Sequence, residues 1–301
     1  MIAFNKYYNK FNILSVSLVI VSLLLLTFKG LNFGIDFKGG TLIELRSTDS
    51  KINVSSLRDN LSQMNLGDVS VKNFGNETDF LIKFENNENK NVIEEIKKNL
   101  DKSFGNSFNF RRVENVGPKV SAELLRSGVI AISVALFLML VYIWIRFEWQ
   151  FGVGAIIALS HDVLTTVGLF AVTQLEFNLA TVAAVLTIAG YSINDTVVIY
   201  DRVREELRRY KKLSIPDLLN LSVNKTLSRT FLTSMTTLIA LVALATLGGP
   251  IIRDFSLAMI WGVLIGTYSS IFVAVPALLV FKLSRESFSS SDSVDGGEQD
   301  T

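Results

Sequence analysis

Asp195 is the residue whose chemistry most needs an explanation. It is a carboxylic acid near the end of a long apolar run, beside Asn194 and one turn after Tyr191 and Ser192. An ionised carboxylate in lipid costs at least ~2.5 kcal/mol, so such a group is paired, protonated or turned toward a polar interior. A carboxyl that gains and loses a proton during a working cycle meets this condition. Burial favours its neutral form and an approaching cation its charged form. The plainer alternative is a side chain reaching up to the membrane interface, which suits the short Asp poorly. Arg229, in LSRTFLTSMTTL, opens the next apolar run with Ser228, Thr230 and Thr233 around it. It is the candidate partner of Asp195, and by itself it also reads as an interfacial anchor. His161 and Asp162, in ALSHDVLTT, are the deepest ionisable pair. They read either as a proton relay or as an interhelical hydrogen bond with a protonated Asp. Neighbours in sequence do not face each other on a helix, so the two are expected to serve different partners, with Thr165 and Thr166 available.

These residues need elements to hold them. Of the 301 residues, 49% are hydrophobic, and the net charge is +1. Mean hydropathy is +0.39. The apolar residues gather in six runs, at 11–28, 128–145, 151–173, 177–200, 230–247 and 255–281. Each approaches the ~20 residues that cross a hydrocarbon core of about 30 Å, and the last is long enough to tilt. The expectation is a polytopic α-helical protein in a lipid bilayer, with no nucleic-acid partner. The first run is expected to stay uncleaved, because no small-x-small site follows it. With no Cys there is no disulfide or thiol nucleophile, and one His excludes sites built on several. No nucleotide-binding motif is present, so an enzyme is not expected, and no cofactor beyond protons is implied.

Between the first two runs the sequence changes character. Strands are expected at 41–46, 69–74, 80–84 and 108–113, with Gly75 and Asn76 turning between the middle two. Apolar residues at helical spacing mark 53–64 and 89–101. The order β-α-β-β-α-β is the ferredoxin-like pattern. The chain thus divides into an N-terminus and first span at 1–30, an α+β domain at 31–117, five further spans at 118–283 and a Ser-, Gly- and acid-rich tail at 284–301, expected to be disordered. Residues 118–126 read as an amphipathic lead-in to the second span. Lys6, Lys10, Arg146, the basic cluster between Arg202 and Lys225, Lys282 and Arg285 fall on one side if both termini are cytoplasmic. The α+β domain is then extracytoplasmic. Gly39 and Gly40 are expected in a turn, and Gly262 and Gly266 in helix packing. The charge run 201–212 reads as a solvated helix with Glu205 and Arg209 paired.

The segments NFGIDFKGG, VGPKVSAEL, ALSHDV, GYSINDTVVIYDRVRE, LSRTFLTSMTTL and GGPIIRDFSLAMIWGVLIGTYSSIF, in this order across residues 30–280, resemble the SecF family of the bacterial Sec protein-export machinery. SecD, its partner, carries a larger outer domain, and each resembles half of an RND-type proton-driven exporter. The resemblance implies a complex with SecD in the bacterial inner membrane, associated with the SecYEG channel and often YajC. It implies that the proton motive force moves the outer domains, helping to draw out a preprotein after the SecA motor has pushed it in. It places Asp195, from SINDTVV, and Arg229, from LSRT, in the proton pathway, with a further acid from SecD. Asn194, His161 and Asp162 take less defined roles. Two other readings stand beside it. An RND-like exporter of lipid or small molecules would need a substrate pocket and a larger outer domain. A passive scaffold would gain nothing from Asp195.

Overall fold

The structure, a computed structural model, describes residues 1–283 apart from 65, 75, 86–90, 106 and 249. The tail expected at 284–301, and the turn residue Gly75, lie outside the described residues. The first apolar run forms α1 (Tyr8–Phe28), entered through a 3₁₀ turn at Phe4–Tyr7. Next come β1 (Asn32–Phe33) and the single turn α2 (Ile35–Lys38). The α+β domain runs β2 (Gly40–Ser47), α3 (Val54–Ser62), β3 (Ser70–Phe74), β4 (Asn76–Phe84), α4 (Val92–Phe104) and β5 (Phe108–Val116). Its sheet order, β3-β4-β2-β5 with every neighbour antiparallel, is the ferredoxin-like order.

The alternation in β2 and β4 turns Ile43, Leu45, Phe80 and Ile82 to one face. Leu57 and Leu61 of α3 and Ile96 and Leu100 of α4 close over it, all of them almost fully buried. Asn53 and Ser56 form a reciprocal capping box that starts α3. β4 begins at Asn76, earlier than the apolar pattern indicates. Its first residues are polar, yet Asn76 pairs with Phe74 of β3 and Asp79 with Arg46 of β2. Backbone pairing needs no apolar side chain. Gly40 stands at φ 129°, where a Cβ would come within 2.7 Å of the Phe84 carbonyl. The Gly39–Gly40 turn therefore lets β2 approach β4.

Among the described residues, six helices are long and apolar enough to cross a membrane, and the chain is a multi-pass membrane protein. After α1 they are α5 (Pro118–Arg146), α6 (Trp149–Thr173), α7 (Leu179–Arg209), α8 (Ile215–Leu247) and the continuous α9 (Pro250–Ser269), π segment (Ser270–Ala274) and α10 (Val275–Val280). The lead-in at 118–126 is the first part of α5, with Pro118 where its missing N–H costs nothing. The π segment sits just before Pro276, which has no N–H to return to the preceding turn. Tyr200 donates to the Ala274 carbonyl there at 2.9 Å.

The two ends of the bundle differ. At one end Ile2 and Phe4 bond to Asn224 and Asn220 of α8. There Arg146 pairs with Asp201, and Arg204 with Glu148. The 201–212 run is only partly a solvated face, since Glu206 is fully buried between Arg202 and Lys225. The expected Glu205–Arg209 pair is replaced. Glu205 meets Arg202 at 2.6 Å and Arg209 leans over Tyr210. At the other end, β1 pairs in parallel with β6 (Glu176–Phe177) in the α6–α7 connection. Asp36 accepts from the Leu179 N–H at the start of α7 at 3.0 Å, where the helix dipole favours an anion. Lys83 of β4 pairs with Glu176. The sheet is thus tied to this end, and an open cleft of about 950 Å³ lies between them.

Candidate functional site

Helix α7 carries the central residues on its inner face. Ile188, Ser192, Asp195, Thr196 and Ile199 are buried, while Asn194 is exposed on the chain's outer surface. The packing that encloses them depends on α9 lying close. A Cβ on Gly262 would meet Ile188 Cγ1 at 2.2 Å, and one on Gly266 would meet Ser192 Cβ at 3.1 Å. The two glycines are a packing seam, as their spacing indicates.

Asp195 is 4% exposed. Thr267 of α9 hydrogen-bonds its carboxyl, and Ser234 of α8 reaches Thr267 at 2.7 Å. Asp195 Oδ2 has no hydrogen-bond partner among the described residues. Arg229 lies within electrostatic reach of Asp195, but no ion pair within 4 Å joins them among the described residues. Ser228 and Arg229 are exposed on the single chain while Thr230 is buried. The polar residues around Arg229 therefore do not form one inward face.

One turn before Asp195 on α7, Ser192 donates to Asp162 Oδ2 at 2.5 Å, and Ser269 of α9 donates to the same oxygen at 2.6 Å. Asp162 is fully buried and its other oxygen lies 2.8 Å from His161 Nδ1. This corrects the expectation that His161 and Asp162 serve different neighbours. Their Cβ atoms diverge, but the imidazole is long enough to bring Nδ1 back to the next carboxylate. The threonines are not the partners either: Thr165 bonds the Asp162 backbone carbonyl, and Thr166 Oγ1 has no partner among the described residues. Next to this cluster Thr196 and Ser270 hydrogen-bond at 2.9 Å.

The site is therefore two buried carboxyls on neighbouring helices, each with its own hydroxyls: Thr267 at Asp195, and Ser192 with Ser269 at Asp162. Thr267 and Ser269 of α9 and Ser270 of the π segment are hydroxyls that the apolar pattern does not single out. The signal was there, as a TYSS cluster interrupting an apolar run. A hydroxyl both donates and accepts, so each can serve its carboxyl in either protonation state.

The family described as protein export membrane protein SecD/SecF, C-terminal, matches residues 95–284. The SecD/SecF GG motif matches residues 24–51, which include Gly39 and Gly40. Protein translocase subunit SecF of Rickettsia rickettsii is 47% identical over 270 residues, covering 89% of this chain and 87% of that protein. The SecF of Rickettsia akari is 48% identical over the same length, with 89% and 87% covered. The crystal structure of SecDF from Thermus thermophilus superposes with a TM-score of 0.85 at 36% identity, covering 94% of this chain and 39% of that one. A structure of SecDF in a super-membrane-facing form gives 0.70 at 35% identity, with 97% and 40% covered. The chain thus spans about two fifths of those SecDF chains. A buried acidic site in a six-span bundle, an α+β domain after the first span and these matches lead to one assignment: the chain belongs to the SecF family of protein translocase subunits.

Proposed function

We propose that this chain works with SecD in the bacterial inner membrane, using the proton motive force to assist preprotein translocation after the SecA-driven step. The observation that carries the reading is Asp195, a buried carboxyl inside a membrane span with one oxygen unpartnered among the described residues. A structural carboxylate in such a place would be saturated with donors. In the proposed cycle Asp195 takes and releases the proton, Thr267 orients it and Arg229 biases its charge. Both termini face the cytoplasm and the α+β domain lies outside, which agrees with the basic residues gathered at one end of the bundle. SecYEG and YajC are the expected assembly, SecA acts before this step, and an acidic residue of SecD completes the pathway.

The energy available is about 2.3 kcal/mol per charge per 100 mV, so one proton moved per cycle is a useful stroke. The ties from β1, Asp36 and Lys83 to the α6–α7 connection would carry motion from the bundle to the outer domain. The test is co-reconstitution of the chain with SecD and the SecYEG channel in vesicles supplied with SecA and ATP. Export is expected to rise on imposing a proton gradient and to lose that rise when an uncoupler collapses it. Equal stimulation with and without the gradient would contradict the reading. Stimulation of lipid or drug efflux, with export unchanged, would favour an RND-like exporter instead.

A further inference from the structure

His161 is the chain's single histidine, and its two ring nitrogens lie in different surroundings. Nδ1 is held by Asp162 at 2.8 Å. Nε2 is buried and has no hydrogen-bond partner among the described residues. The ring leans on Tyr268, with centroids 6.1 Å apart. The Tyr268 hydroxyl is in turn fixed to α1, 2.7 Å from Ser15 Oγ and 2.8 Å from the Phe11 carbonyl.

Asp162 is in the opposite condition. Ser192 and Ser269 serve one oxygen and His161 the other. With Nδ1 as the donor, three donors meet on one carboxyl, the set that suits an ionised acceptor. The groups facing the pair are Ser269 and Tyr268 of α9, Ser192 of α7 and, through Tyr268, Ser15 of α1. Asp195, one turn beyond Ser192, is the nearest carboxyl along α7. The polar accounting therefore closes at every atom of the pair except His161 Nε2.

We propose that His161 Nε2 is a second proton-binding atom of the bundle, with Asp162 remaining ionised as the group that orients the ring and balances the imidazolium. The proton adds to the Nε2 lone pair and leaves from the same atom, so no covalent bond to the protein changes. A carboxylate fixing one ring nitrogen while the other exchanges protons is a recurring use of histidine. The inference deepens the proton-driven reading of Asp195, and rests on it only where export is measured.

A single histidine makes the test direct. The full chain, labelled with ring-¹⁵N histidine and assembled with unlabelled SecD in lipid nanodiscs, gives one pair of imidazole nitrogen signals. Wild type is expected to show one N–H, on Nδ1, in alkaline buffer and a second, on Nε2, on acidification. In Asp162→Asn the second signal is expected to be lost across the same range. A ring that keeps a single N–H throughout in wild type would overturn the proposal and leave Asp162 as the protonated member. An unchanged response in Asp162→Asn would overturn the role of the carboxylate. His161→Asn keeps an amide donor near the Nδ1 position and removes Nε2; it is expected to reduce the gradient-dependent part of export at least tenfold, with the SecA-driven part unchanged. Full gradient response in that variant would contradict the proposal. If export in wild type ignores the gradient, the proton-driven reading of the complex fails, while the nitrogen spectra still decide the protonation of His161.

Discussion

Replacing Gly262 with Ala sets one methyl group against a tight seam between α7 and α9. The new Cβ would lie 2.2 Å from Ile188 Cγ1, 2.5 Å from Cδ1 and 2.7 Å from Cγ2. Carbon atoms settle at about 3.5–4.0 Å, so the shortest contact must open by roughly 1.5 Å. Ile188 is fully buried, and a β-branched side chain in a helix has one strongly preferred rotamer. Rotation cannot absorb the clash, so α7 and α9 must separate. Overpacking of this kind costs about 1–3 kcal/mol, or roughly a 5- to 150-fold loss in the folding equilibrium at ~1.4 kcal/mol per tenfold. Ile188→Ala alone should cost about 2–5 kcal/mol through lost burial and the cavity left behind. The double variant removes the atoms that clash. Its cost should fall short of the sum of the singles by about 1–3 kcal/mol, the overpacking cost itself. Reversible unfolding in bicelles, followed by tryptophan fluorescence, measures all four corners of the cycle. Costs that add within ~0.5 kcal/mol would show that Ile188 and Gly262 do not meet, and would refute the proposed α7–α9 contact.

Three further outcomes are expected. Ser269→Ala removes one donor from Asp162 across the α6–α9 interface; it should destabilise the bundle by about 0.6–1.7 kcal/mol in the same unfolding assay, and no loss would mean the bond is absent. In the α+β domain, the Arg46 guanidinium hydrogen-bonded to Asp79 holds that carboxyl below the usual carboxylate range. Its contribution to stability is complete above the unfolded-state value of about 3.9 and fades as the pH falls through the lower folded-state value. Hydrogen exchange in β2 and β4 should therefore accelerate on acidification below that range, with a weaker pH response in Asp79→Asn; identical profiles would remove the linkage. Gly40→Ala should destabilise the domain by more than ~1 kcal/mol, read as faster exchange in β2, because the residue needs φ 129° and its Cβ would press on the Phe84 carbonyl.

The parts of this fold that follow a period were legible in the sequence. The six apolar runs became six spanning helices, and alternation and helical spacing between 41 and 113 became the ferredoxin-like sheet. What escaped was set by backbone continuity or by tertiary contact. α7 and α8 extend well past their apolar runs because charged residues continue a helix as readily as apolar ones, and here Glu206 is buried between Arg202 and Lys225. β1 and β6 are two residues each and join segments far apart in the chain; no local pattern announces such a pair.

The site divides in the same way. Asp195 and Asp162 stand out in any apolar context by their cost. Their hydroxyl partners do not, because serine and threonine are tolerated almost anywhere in a membrane helix. Only the approach of α9 to α7 at Gly262 and Gly266 shows that Thr267, Ser269 and Ser270 face inward. The His161–Asp162 contact was missed for a different reason. Helix geometry fixes where Cβ points but not how far an imidazole can fold back.

In the proposed cycle Asp195 exchanges a proton as part of export. The measurement that bears on it most directly compares wild type with Asp195→Asn, a substitution that keeps shape and removes the titrating group. Both are assembled with SecD and the SecYEG channel, and SecD co-purification is checked for each. An intact complex is expected, with the SecA-driven step retained and gradient-stimulated export abolished. Full gradient stimulation in Asp195→Asn, with the complex intact, would contradict it.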